Sequence, residues 1–399
     1  AVLAAAKATN ADAVHPGYGF LAENADFVRA CKKAGLNFVG PDADAMEALG
    51  NKRQARLKMN KEGVPCLPGY EGDAQDDKAL MKAAQGIGFP LMVKAAAGGG
   101  GRGMRLVAQE SDLEAALRGA RSEAQDAFGS DELILEKAAT SVKHIEIQVL
   151  ADGHGEVLYI GERDCSSQRR YQKVIEEAPS PSVDEKLRQA MGEAAVKVAK
   201  SVGYVGAGTV EFLLDGDGNF YFLEMNTRIQ VEHPVSEMIT GIDLVAWQLR
   251  IAAGEKLSIQ QKDVGLCGHA IEARLYAEDP DQNFIPQSGP LHRLSLPEDL
   301  GLRLECALQS GDEVTPYYDP MIAKVIAYGA NRDEALRKLD RALGQTQVFG
   351  IKTNKDYLRR ILQHADFAAG GVTTDWLEAQ DFMANALPNE LVWALAALV

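Results

Sequence analysis

The fold is decided by one segment of the chain, Phe89-Pro-Leu-Met-Val-Lys94-Ala-Ala-Ala-Gly98-Gly-Gly-Gly-Arg102-Gly103-Met-Arg-Leu-Val107. Its pattern predicts a β-strand, a glycine-rich loop and a second strand, with Lys94 near the end of the first strand. Consecutive glycines let the backbone turn several N–H groups toward one anion, because no Cβ atom stands in the way. Lys94 and Arg102 add positive charge beside the loop. The segment therefore predicts a lid over a polyphosphate.

Two other phosphate-binding motifs are excluded by the residues around the glycines. Gly98, Gly100 and Gly103 match the spacing G-x-G-x-x-G, but that fingerprint needs a helix directly after the glycines. The residues from Met104 to Val107 predict a strand instead, and the absence of G-K-[ST] excludes a Walker A loop. A flexible hairpin tip remains the alternative, although four consecutive glycines weaken a hairpin unless something needs the exposed backbone.

Length and composition bound the class of protein. At 399 residues the chain exceeds one compact core, so two or three domains are expected. The formal charge of -15 argues against a nucleic-acid surface. The cysteines lie far apart without a C-x-x-C motif, which indicates free thiols in a reducing compartment: the cytoplasm, or the mitochondrial matrix of a eukaryote. No run approaches the roughly 18 apolar residues of a membrane span, so no membrane contact is expected.

A second predicted hairpin, within residues 208–228, carries two carboxylates. If its turn centres on Gly216-Asp217, Glu211 faces Phe222 and lies diagonal to Glu224, on the same side of the sheet and about 7–8 Å away. Two carboxylates at that distance can bind one hard cation such as Mg²⁺, together with substrate phosphates. A turn one residue longer would send Glu211 to the opposite face. An exposed hairpin with polar residues on its wet side is the alternative.

Polar residues continue along and beyond the second strand of this hairpin. Glu224, Asn226 and Arg228 share one face through the period of two. Arg228 also begins the run Arg-Ile-Gln-Val-Glu232-His233. A glutamate between a cationic neighbour and a bound anion can serve as a general base, whereas His233 before proline is interpreted as a structural residue.

A basic segment runs from Arg163 to Lys173 and carries four cations in eleven residues of an acidic protein. We interpret it as one strand, in which Gln168, Arg170 and Gln172 alternate with Arg169, Tyr171 and Lys173. One side of this strand would then point cations at a small anion. A solvated charged face is the alternative interpretation.

Together these segments resemble the biotin carboxylase component of biotin-dependent carboxylases, a member of the ATP-grasp superfamily. The most specific motif is Glu224-Met-Asn-Thr-Arg-Ile-Gln-Val-Glu-His-Pro234. The other matching motifs are His15–Asn24, Gly98–Arg105, His144–Val149, Glu162–Cys165, Gln172–Pro179 and Tyr317–Lys324. The resemblance covers nearly the whole chain. It implies an α/β and α+β architecture: an ATP-grasp fold with a partial N-terminal parallel α/β domain and a C-terminal biotin carboxylase domain.

The resemblance also implies a division of the chain. Residues 1–50 form a partial N-terminal domain whose first βα section is missing, and residues 51–138 form linker helices and the lid subdomain. Residues 139–383 form the ATP-grasp core with the biotin carboxylase C-terminal domain, and residues 384–399 start a linker to a downstream domain. The Met-Lys-Met motif of a biotin carrier is absent, since Leu57-Lys-Met59 lies in a helical pattern and lacks the first methionine.

As the resemblance implies the reaction, bicarbonate attacks the γ-phosphate of ATP bound to Mg²⁺ (or Mn²⁺), giving carboxyphosphate and ADP. The carboxyl group then passes to N1 of the biotin ureido ring. The implied partners are a biotin carboxyl carrier domain, which presents biotin as a substrate, and a carboxyltransferase (β) subunit, in an oligomer. Arg274–Pro280 and Phe367–Thr374 favour the methylcrotonoyl- or geranoyl-CoA carboxylase branch.

Roles for individual residues follow from the same resemblance. The residues matched to ATP binding are Lys52, Lys94, Gly99, Gly100, Gly101, Gly103, Glu136, Lys137, His144 and Gln168. Those matched to the metal are Glu211, Glu224 and Asn226. Those matched to bicarbonate are Lys173, Arg228, Gln230 and Val231. The catalytic set is Glu232, Arg228, Lys173 and Arg274, with Glu232 taking the proton of bicarbonate and Arg274 matching the arginine thought to steady the biotin enolate.

One departure and two alternatives stay open. Tyr171 stands where many relatives carry His or Asn, and it is given no role beyond lining the site. Another ATP-grasp ligase, such as a carbamoyl-phosphate-forming enzyme, would share the hairpin and loop but not Tyr317-Tyr-Asp319 or the run from Arg228 to Glu232. A non-catalytic ATP-binding scaffold is disfavoured, because every residue expected to carry the chemistry is present.

Overall fold

The computed structural model describes residues 1–97 and 103–382. Three glycines matched to ATP binding, Gly99, Gly100 and Gly101, lie outside the described residues, as does the predicted linker 384–399. None of the helices in the described part has the length and apolar character that a membrane span requires.

The N-terminal part alternates helices and short strands, as predicted. Its elements are α1 (Val2–Ala8), β1 (Ala13–Val14), α2 (Ala25–Lys33), β2 (Asn37–Phe38) and α3 (Ala43–Gly50). The two strands pair in parallel. Val28 and Met46 form a small core with Phe38, which joins α2 and α3 to the strands.

The next part is a four-stranded antiparallel sheet with helices against it. Its elements are α4 (Lys52–Glu62), β3 (Gly69–Tyr70), α5 (Asp77–Ile87), β4 (Leu91–Ala95), β5 (Met104–Val107), α6 (Leu113–Phe128) and β6 (Leu133–Lys137), and the strand order is β3-β6-β4-β5. Strands β4 and β5 pair antiparallel, so the two predicted strands are confirmed, while the glycines of the predicted loop from 98 to 101 lie outside the described residues. A 3-10 turn, Glu110–Asp112, precedes α6, and within the described residues no side chain caps this helix.

The centre of the molecule is an eight-stranded antiparallel sheet. Its first elements are β7 (Lys143–Ala151), β8 (Val157–Arg169), β9 (Gln172–Ala178), α7 (Glu185–Ser201), β10 (Gly206–Leu214), β11 (Phe220–Asn226), α8 (His233–Thr240), α9 (Leu244–Ala252) and β12 (His269–Tyr276). Asp184 caps α7 by accepting a hydrogen bond from the Leu187 N–H.

Smaller strands and four helices complete the described chain. They are β13 (Glu278–Asp279), β14 (Ile285–Pro286), β15 (Gly289–Pro290), β16 (Arg293–Ser295), β17 (Leu302–Cys306), β18 (Glu313–Val314), β19 (Met321–Gly329), α10 (Arg332–Gln345), β20 (Gln347–Phe349), α11 (Lys355–Gln363), α12 (Ala365–Ala368) and α13 (Trp376–Ala379). Strands β19 and β17 extend the large sheet, whose order is β11-β10-β7-β8-β9-β12-β19-β17.

The two faces of the large sheet have different character because side chains alternate along each strand. On β7, Ile145 and Ile147 pack into the core that contains α7. His144 and Glu146 alternate with them and therefore lie on the opposite face, where both are buried. The sheet thus carries charged residues on a face that the fold encloses, which is the setting of a functional site rather than of a wet surface.

Candidate functional site

A cavity of about 420 Å³ opens between the four-stranded and eight-stranded sheets. Most of the residues that were predicted to form the site line this cavity. They are Lys52, Lys94, Glu136, Lys137, His144, Gln168, Lys173, Glu211, Glu224, Asn226, Arg228, Gln230, Val231, Glu232 and Arg274. Among the described members of that set, Gly103 alone is not part of the walls. Its N–H donates to Glu123 Oε1 at 3.1 Å, on the side of helix α6.

The predicted register of the carboxylate hairpin is wrong by one residue next to the turn and by two at Glu211, yet its two glutamates share a face. The turn is longer than predicted because the Asp215 carboxylate accepts from the N–H groups of Asp217 and Asn219. A bulge in β11 then shifts the register by one more residue in the same direction, so that Glu211 stands directly opposite Glu224 and the total shift of two residues keeps its side chain on the same face. Directly opposite residues have Cβ atoms about 4.5–5.5 Å apart, which is closer than the predicted diagonal.

Cations and amides surround the Glu211 carboxylate. Its Oε1 accepts from Lys173 Nζ at 2.8 Å, from Asn226 Nδ2 at 2.8 Å and from Gln230 Nε2 at 2.9 Å. Burial would raise the pKa of Glu211, but the positive charges of Lys173 and His144 hold it well below its usual range. The group is therefore an anion that several donors hold in place.

The Glu224 carboxylate is held by a separate cation. Lys52 Nζ lies 2.6 Å from Glu224 Oε2. Burial would lower the pKa of Lys52, but the charges of Glu224 and Glu211 raise it, so the lysine stays charged. Each glutamate of the hairpin thus has its own ammonium group.

These residues fit a hard divalent cation. Two carboxylates on adjacent strands offer oxygen ligands, which Mg²⁺ and Mn²⁺ prefer. Asn226 fits less directly, because its amide nitrogen donates to Glu211 while its oxygen accepts from Arg228 Nη2 at 3.1 Å. A metal would have to compete with Arg228 for that oxygen.

A second group of possible metal ligands is already neutralised. His144, Glu146 and Glu211 place ligand atoms within 4.8 Å of one another. Lys173 Nζ, however, lies 2.5 Å from Glu146 Oε2 and 2.8 Å from Glu211 Oε1. One ammonium group thus bridges both carboxylates of this group, and Glu211 also belongs to the hairpin pair.

Glu232 lies between two cations at the other end of the cavity. Its Oε1 accepts from Lys173 Nζ at 2.6 Å, and its Oε2 accepts from Arg274 Nη2 at 2.9 Å. Burial would raise the pKa of Glu232, but Lys173, Arg274 and Arg163 lower it below its usual range. The carboxylate is therefore an anion held between two cations.

The remaining predicted residues of this end are held by contacts from other parts of the chain. Arg228 Nε donates to Glu23 Oε2 at 3.1 Å, and the Val231 carbonyl accepts from Lys324 Nζ at 2.7 Å. Gln230 Oε1 accepts from Arg163 Nη2 at 2.8 Å. These contacts fix the segment 228–232 on the cavity wall.

The end under the four-stranded sheet holds Lys94 and Glu136. Glu136 is buried and forms ion pairs with Lys94 and with Arg56, whose Nη1 lies 2.5 Å from Glu136 Oε1. Lys137 Nζ donates to the Phe89 carbonyl at 2.9 Å. His144 stands near Glu211, with Nε2 3.2 Å from Oε2; burial would lower its pKa, but Glu211 raises it.

The predicted basic strand is wrong, because its residues form a hairpin. Strand β8 ends at Arg169, β9 begins at Gln172, and the intervening Arg170 and Tyr171 have φ of 50° and 64°. The sequence gives no warning of this turn, since two left-handed residues favour Gly, Asn or Asp. Gln168 and Lys173 consequently stand opposite each other and both line the cavity.

Sequence reasoning gave no individual role to several residues that support the site, although they lie in motifs it had singled out. Arg163 is fully buried and binds Glu146, and it also donates to Gln148 Oε1 at 2.8 Å and Thr209 Oγ1 at 3.1 Å. Glu146 and Gln148 share the face of His144 through the period of two. The alternation of polar and apolar residues within His144–Val149 could have indicated that Glu146 and Gln148 lie on the same face as His144.

Family models match most of the chain. They are the biotin carboxylase N-terminal domain over residues 1–46, the ATP binding domain of the carbamoyl-phosphate synthase L chain over 51–260, and the biotin carboxylase C-terminal domain over 272–379.

Two curated relatives are each 51% identical to this chain over 94% of its length. One is the mitochondrial methylcrotonoyl-CoA carboxylase subunit alpha of Rattus norvegicus, and the other is the biotin carboxylase of Halalkalibacterium halodurans. The match covers 53% of the rat protein and 82% of the bacterial one. This chain therefore spans about half the length of the methylcrotonoyl-CoA carboxylase subunits that it matches.

Solved structures that are similar to this chain are also biotin carboxylases. The biotin carboxylase domain dimer of Hydrogenobacter thermophilus 2-oxoglutarate carboxylase, in complex with MgADP, ADP and bicarbonate, has a TM-score of 0.94 and 45% identity, covering 96% of this chain and 85% of that one. A biotin carboxylase from Campylobacter jejuni has a TM-score of 0.93 and 44% identity, covering 95% and 84%. The predicted ATP-grasp fold is confirmed.

Proposed function

We propose, from the premise that this chain belongs to the biotin carboxylase family, that it carboxylates biotin with bicarbonate at the expense of ATP. The reaction is the first half-reaction of an acyl-CoA carboxylase. One observation carries the proposal: Glu232 lies between Lys173 and Arg274, in the same cavity as the Glu211–Glu224 pair.

The cations of the cavity bind the anionic substrates in this proposal. Lys52 and Lys94 hold the ATP phosphates, while Lys173, Arg228 and Gln230 hold bicarbonate beside Glu232. When bicarbonate draws Lys173 away from Glu232, the pKa of the carboxylate rises and it accepts the bicarbonate proton. The deprotonated oxygen attacks the γ-phosphorus, the bond to the bridging oxygen of ADP breaks, and carboxyphosphate and ADP result.

The metal and the second step use other residues of the same cavity. Glu211 and Glu224, with the oxygen of Asn226, would hold Mg²⁺ or Mn²⁺, which neutralises phosphate charge when bound. Carboxyphosphate breaks into CO₂ and phosphate, the phosphate takes the N1 proton of biotin, and N1 then bonds to CO₂ while Arg274 steadies the negative charge on the ureido ring. Exclusion of water by a closed lid would protect carboxyphosphate from hydrolysis.

The partners of the whole protein follow from the same proposal. Biotin arrives on a biotin carboxyl carrier domain, and a carboxyltransferase (β) subunit uses the product, within an oligomer. Identity is 51% both to the rat methylcrotonoyl-CoA carboxylase subunit and to a bacterial biotin carboxylase, so the methylcrotonoyl- or geranoyl-CoA branch stays a prediction. The division of the chain into domains and the cytoplasmic or matrix location also stay predictions.

The proposal is tested by ATP hydrolysis in the full-length protein, measured with and without bicarbonate and free biotin. We expect hydrolysis to require bicarbonate, and labelled bicarbonate to appear in biotin. Hydrolysis that continues equally without bicarbonate would point to another ligase. Nucleotide binding without any turnover would point to a scaffold. Either result would contradict the proposal.

A further inference from the structure

A second pair of glutamates lies in the large sheet behind Arg274. Glu176 on β9 stands directly opposite Glu272 on β12, and both side chains are fully buried. Glu176 Oε1 accepts from Arg274 Nε at 2.6 Å. Within the described residues, Glu176 Oε2 and both oxygens of Glu272 have no hydrogen-bond partner. Two ionised carboxylates with three oxygens lacking donors would be very costly in a dry interior.

The cations near Glu272 are engaged elsewhere. Lys324, its diagonal neighbour on β19, donates to the Val231 carbonyl at 2.7 Å and pairs with Glu305. Arg274, two residues along β12, holds Glu176 and Glu232. Glu232, which precedes α8, adds negative charge from the side of that helix. Glu272 therefore faces two other carboxylates, and its neighbouring cations are already shared with other groups.

We propose that Glu272 carries a proton that it shares with Glu176, and that this acid–carboxylate pair positions Arg274 against Glu232. Directly opposite residues of an antiparallel pair have Cβ atoms about 4.5–5.5 Å apart, which brings carboxyl groups within reach of each other. An O–H···O⁻ bond between them is short and strong. It supplies the donor that Glu176 Oε2 lacks, and it spares Glu272 a buried negative charge.

The electrostatics of the two groups agree with this geometry. Burial raises the pKa of Glu272 well above its ordinary value, against the charges of Lys324 and Arg274. Burial likewise raises the pKa of Glu176 to about 7, although Arg274 acts to lower it. Both shifts favour a protonated carboxyl in the pair, in agreement with the oxygens that lack donors.

The consequence for turnover rests on the proposed function. Arg274 uses Nε for Glu176 and Nη2 for Glu232, so the orientation of Glu176 sets the orientation of Arg274. If Glu272 loses its proton, two buried anions face each other and attract Arg274 away from Glu232. Turnover should then fall as pH rises through the titration of the pair. Glu272 acts through Arg274, so it is a positioning residue.

The shared proton is tested without any activity measurement, by infrared spectroscopy of the full-length protein at neutral pH. We expect a carbonyl stretch of a protonated carboxylic acid that is lost in Glu272→Gln. The matched control is Glu177→Gln, because Glu177 is the buried neighbour of Glu176 but is ion-paired with Arg332 and His269. If Glu272→Gln loses no such band, the shared proton is ruled out, whatever the protein catalyses.

The positioning role is tested by comparing Glu272→Leu, which has no donor, with Glu272→Gln, whose amide still donates to Glu176. We expect Leu to lower kcat of biotin carboxylation roughly 10- to 100-fold with an unchanged KM for ATP. Glutamine should restore most of kcat and abolish the fall at high pH. Identical pH profiles for wild type and Glu272→Gln would overturn the role. That comparison decides the question even if Glu272→Leu does not fold.

Discussion

The large sheet contains two pairs of directly opposite glutamates, and they are neutralised in different ways. Glu211 and Glu224 line the cavity, and each has a lysine ammonium beside it. Glu176 and Glu272 are buried behind Arg274, and three of their four oxygens have no donor among the residues that the structure describes. Like charges directly opposite each other repel in both places. On the proposed function, the neutralising group, rather than the spacing, decides which acidic pair binds the metal.

Glu232 connects the two pairs. Lys173 binds both Glu232 and Glu211, while Arg274 binds both Glu232 and Glu176. Substitutions at Glu232 and at either pair should therefore change turnover or stability by different amounts. The predictions below run from the largest expected change to the smallest.

The largest effect is expected at Glu232. Glu232→Gln keeps the shape of the side chain but removes its basicity and its charge between Lys173 and Arg274. Bicarbonate-dependent ATP hydrolysis should fall by about 10²- to 10⁴-fold, the range of general base catalysis. Binding of ADP, measured by calorimetry, should be largely intact.

The control for this variant is Glu237→Gln. Glu237 is also largely buried and ion-paired, to Arg303, but it does not line the cavity. Its substitution should leave bicarbonate-dependent hydrolysis close to that of the wild type. Equal losses of nucleotide binding and turnover in Glu232→Gln would contradict the role of Glu232 as a base.

A smaller effect is expected in the pH dependence of stability. The pKa of Glu272 is raised in the folded state, so its contribution to stability is present below pH 4.5, the value for an ordinary glutamate, and is lost as pH rises toward the folded pKa. Glutamine does not titrate, so Glu272→Gln should not lose this stability as pH rises. The free energy of unfolding of the variant, relative to wild type, should rise by at most about 1.4 kcal/mol per pH unit.

Urea unfolding from about pH 5 to about pH 8 measures this difference. Glu211 and Glu232 act in the opposite sense, because their depressed pKa values contribute stability that is lost as pH falls below 4.5. The contribution of Glu211 and Glu232 to stability is common to the wild type and Glu272→Gln, so it does not affect the difference between them. A difference between variant and wild type that does not change with pH would argue against a protonated Glu272.

The smallest effect is expected at the turn between β8 and β9. A substitution there should change stability without affecting either pair of glutamates. Arg170 is exposed and has φ of 50°, a conformation that Asn tolerates better. Arg170→Asn should raise the free energy of unfolding by less than about 1 kcal/mol, since it also loses the bond to Asn283. Bicarbonate-dependent turnover should not change.

The same substitution in a helix serves as the control. Arg118 is exposed in α6, where Asn is a poorer helix former than Arg, so Arg118→Asn should lower stability slightly. A parallel loss of stability and turnover in Arg170→Asn would mean that the turn itself supports the site.

Local patterns predicted much of this architecture. The strands around the glycines, the hairpin of Glu211 and Glu224, and the face shared by Glu224 and Asn226 all follow from periodicity and turn residues. The bulge in β11 and the left-handed Arg170-Tyr171 turn could not be predicted, because the sequence there lacks the glycines and asparagines that usually mark such geometry.

Contacts between distant segments were the other limit. Arg228 contacts Glu23, which lies 205 positions earlier, and Glu176 faces Glu272 only because β9 and β12 pair in one particular register. Such registers depend on the whole sheet rather than on neighbouring residues. Motifs could therefore indicate that these residues belong to the site, but the sequence could not predict which of them contact each other around Glu232.

The central claim is that the cation-neutralised pair binds metal and the proton-neutralised pair does not. Titration of Mn²⁺ by electron paramagnetic resonance in the presence of ADP tests it directly, in the full-length protein and its variants. Glu211→Gln and Glu224→Gln should each weaken Mn²⁺ binding about 10- to 100-fold, while Glu272→Gln should bind like the wild type. Equal weakening in all three variants, or none in the first two, would contradict the account.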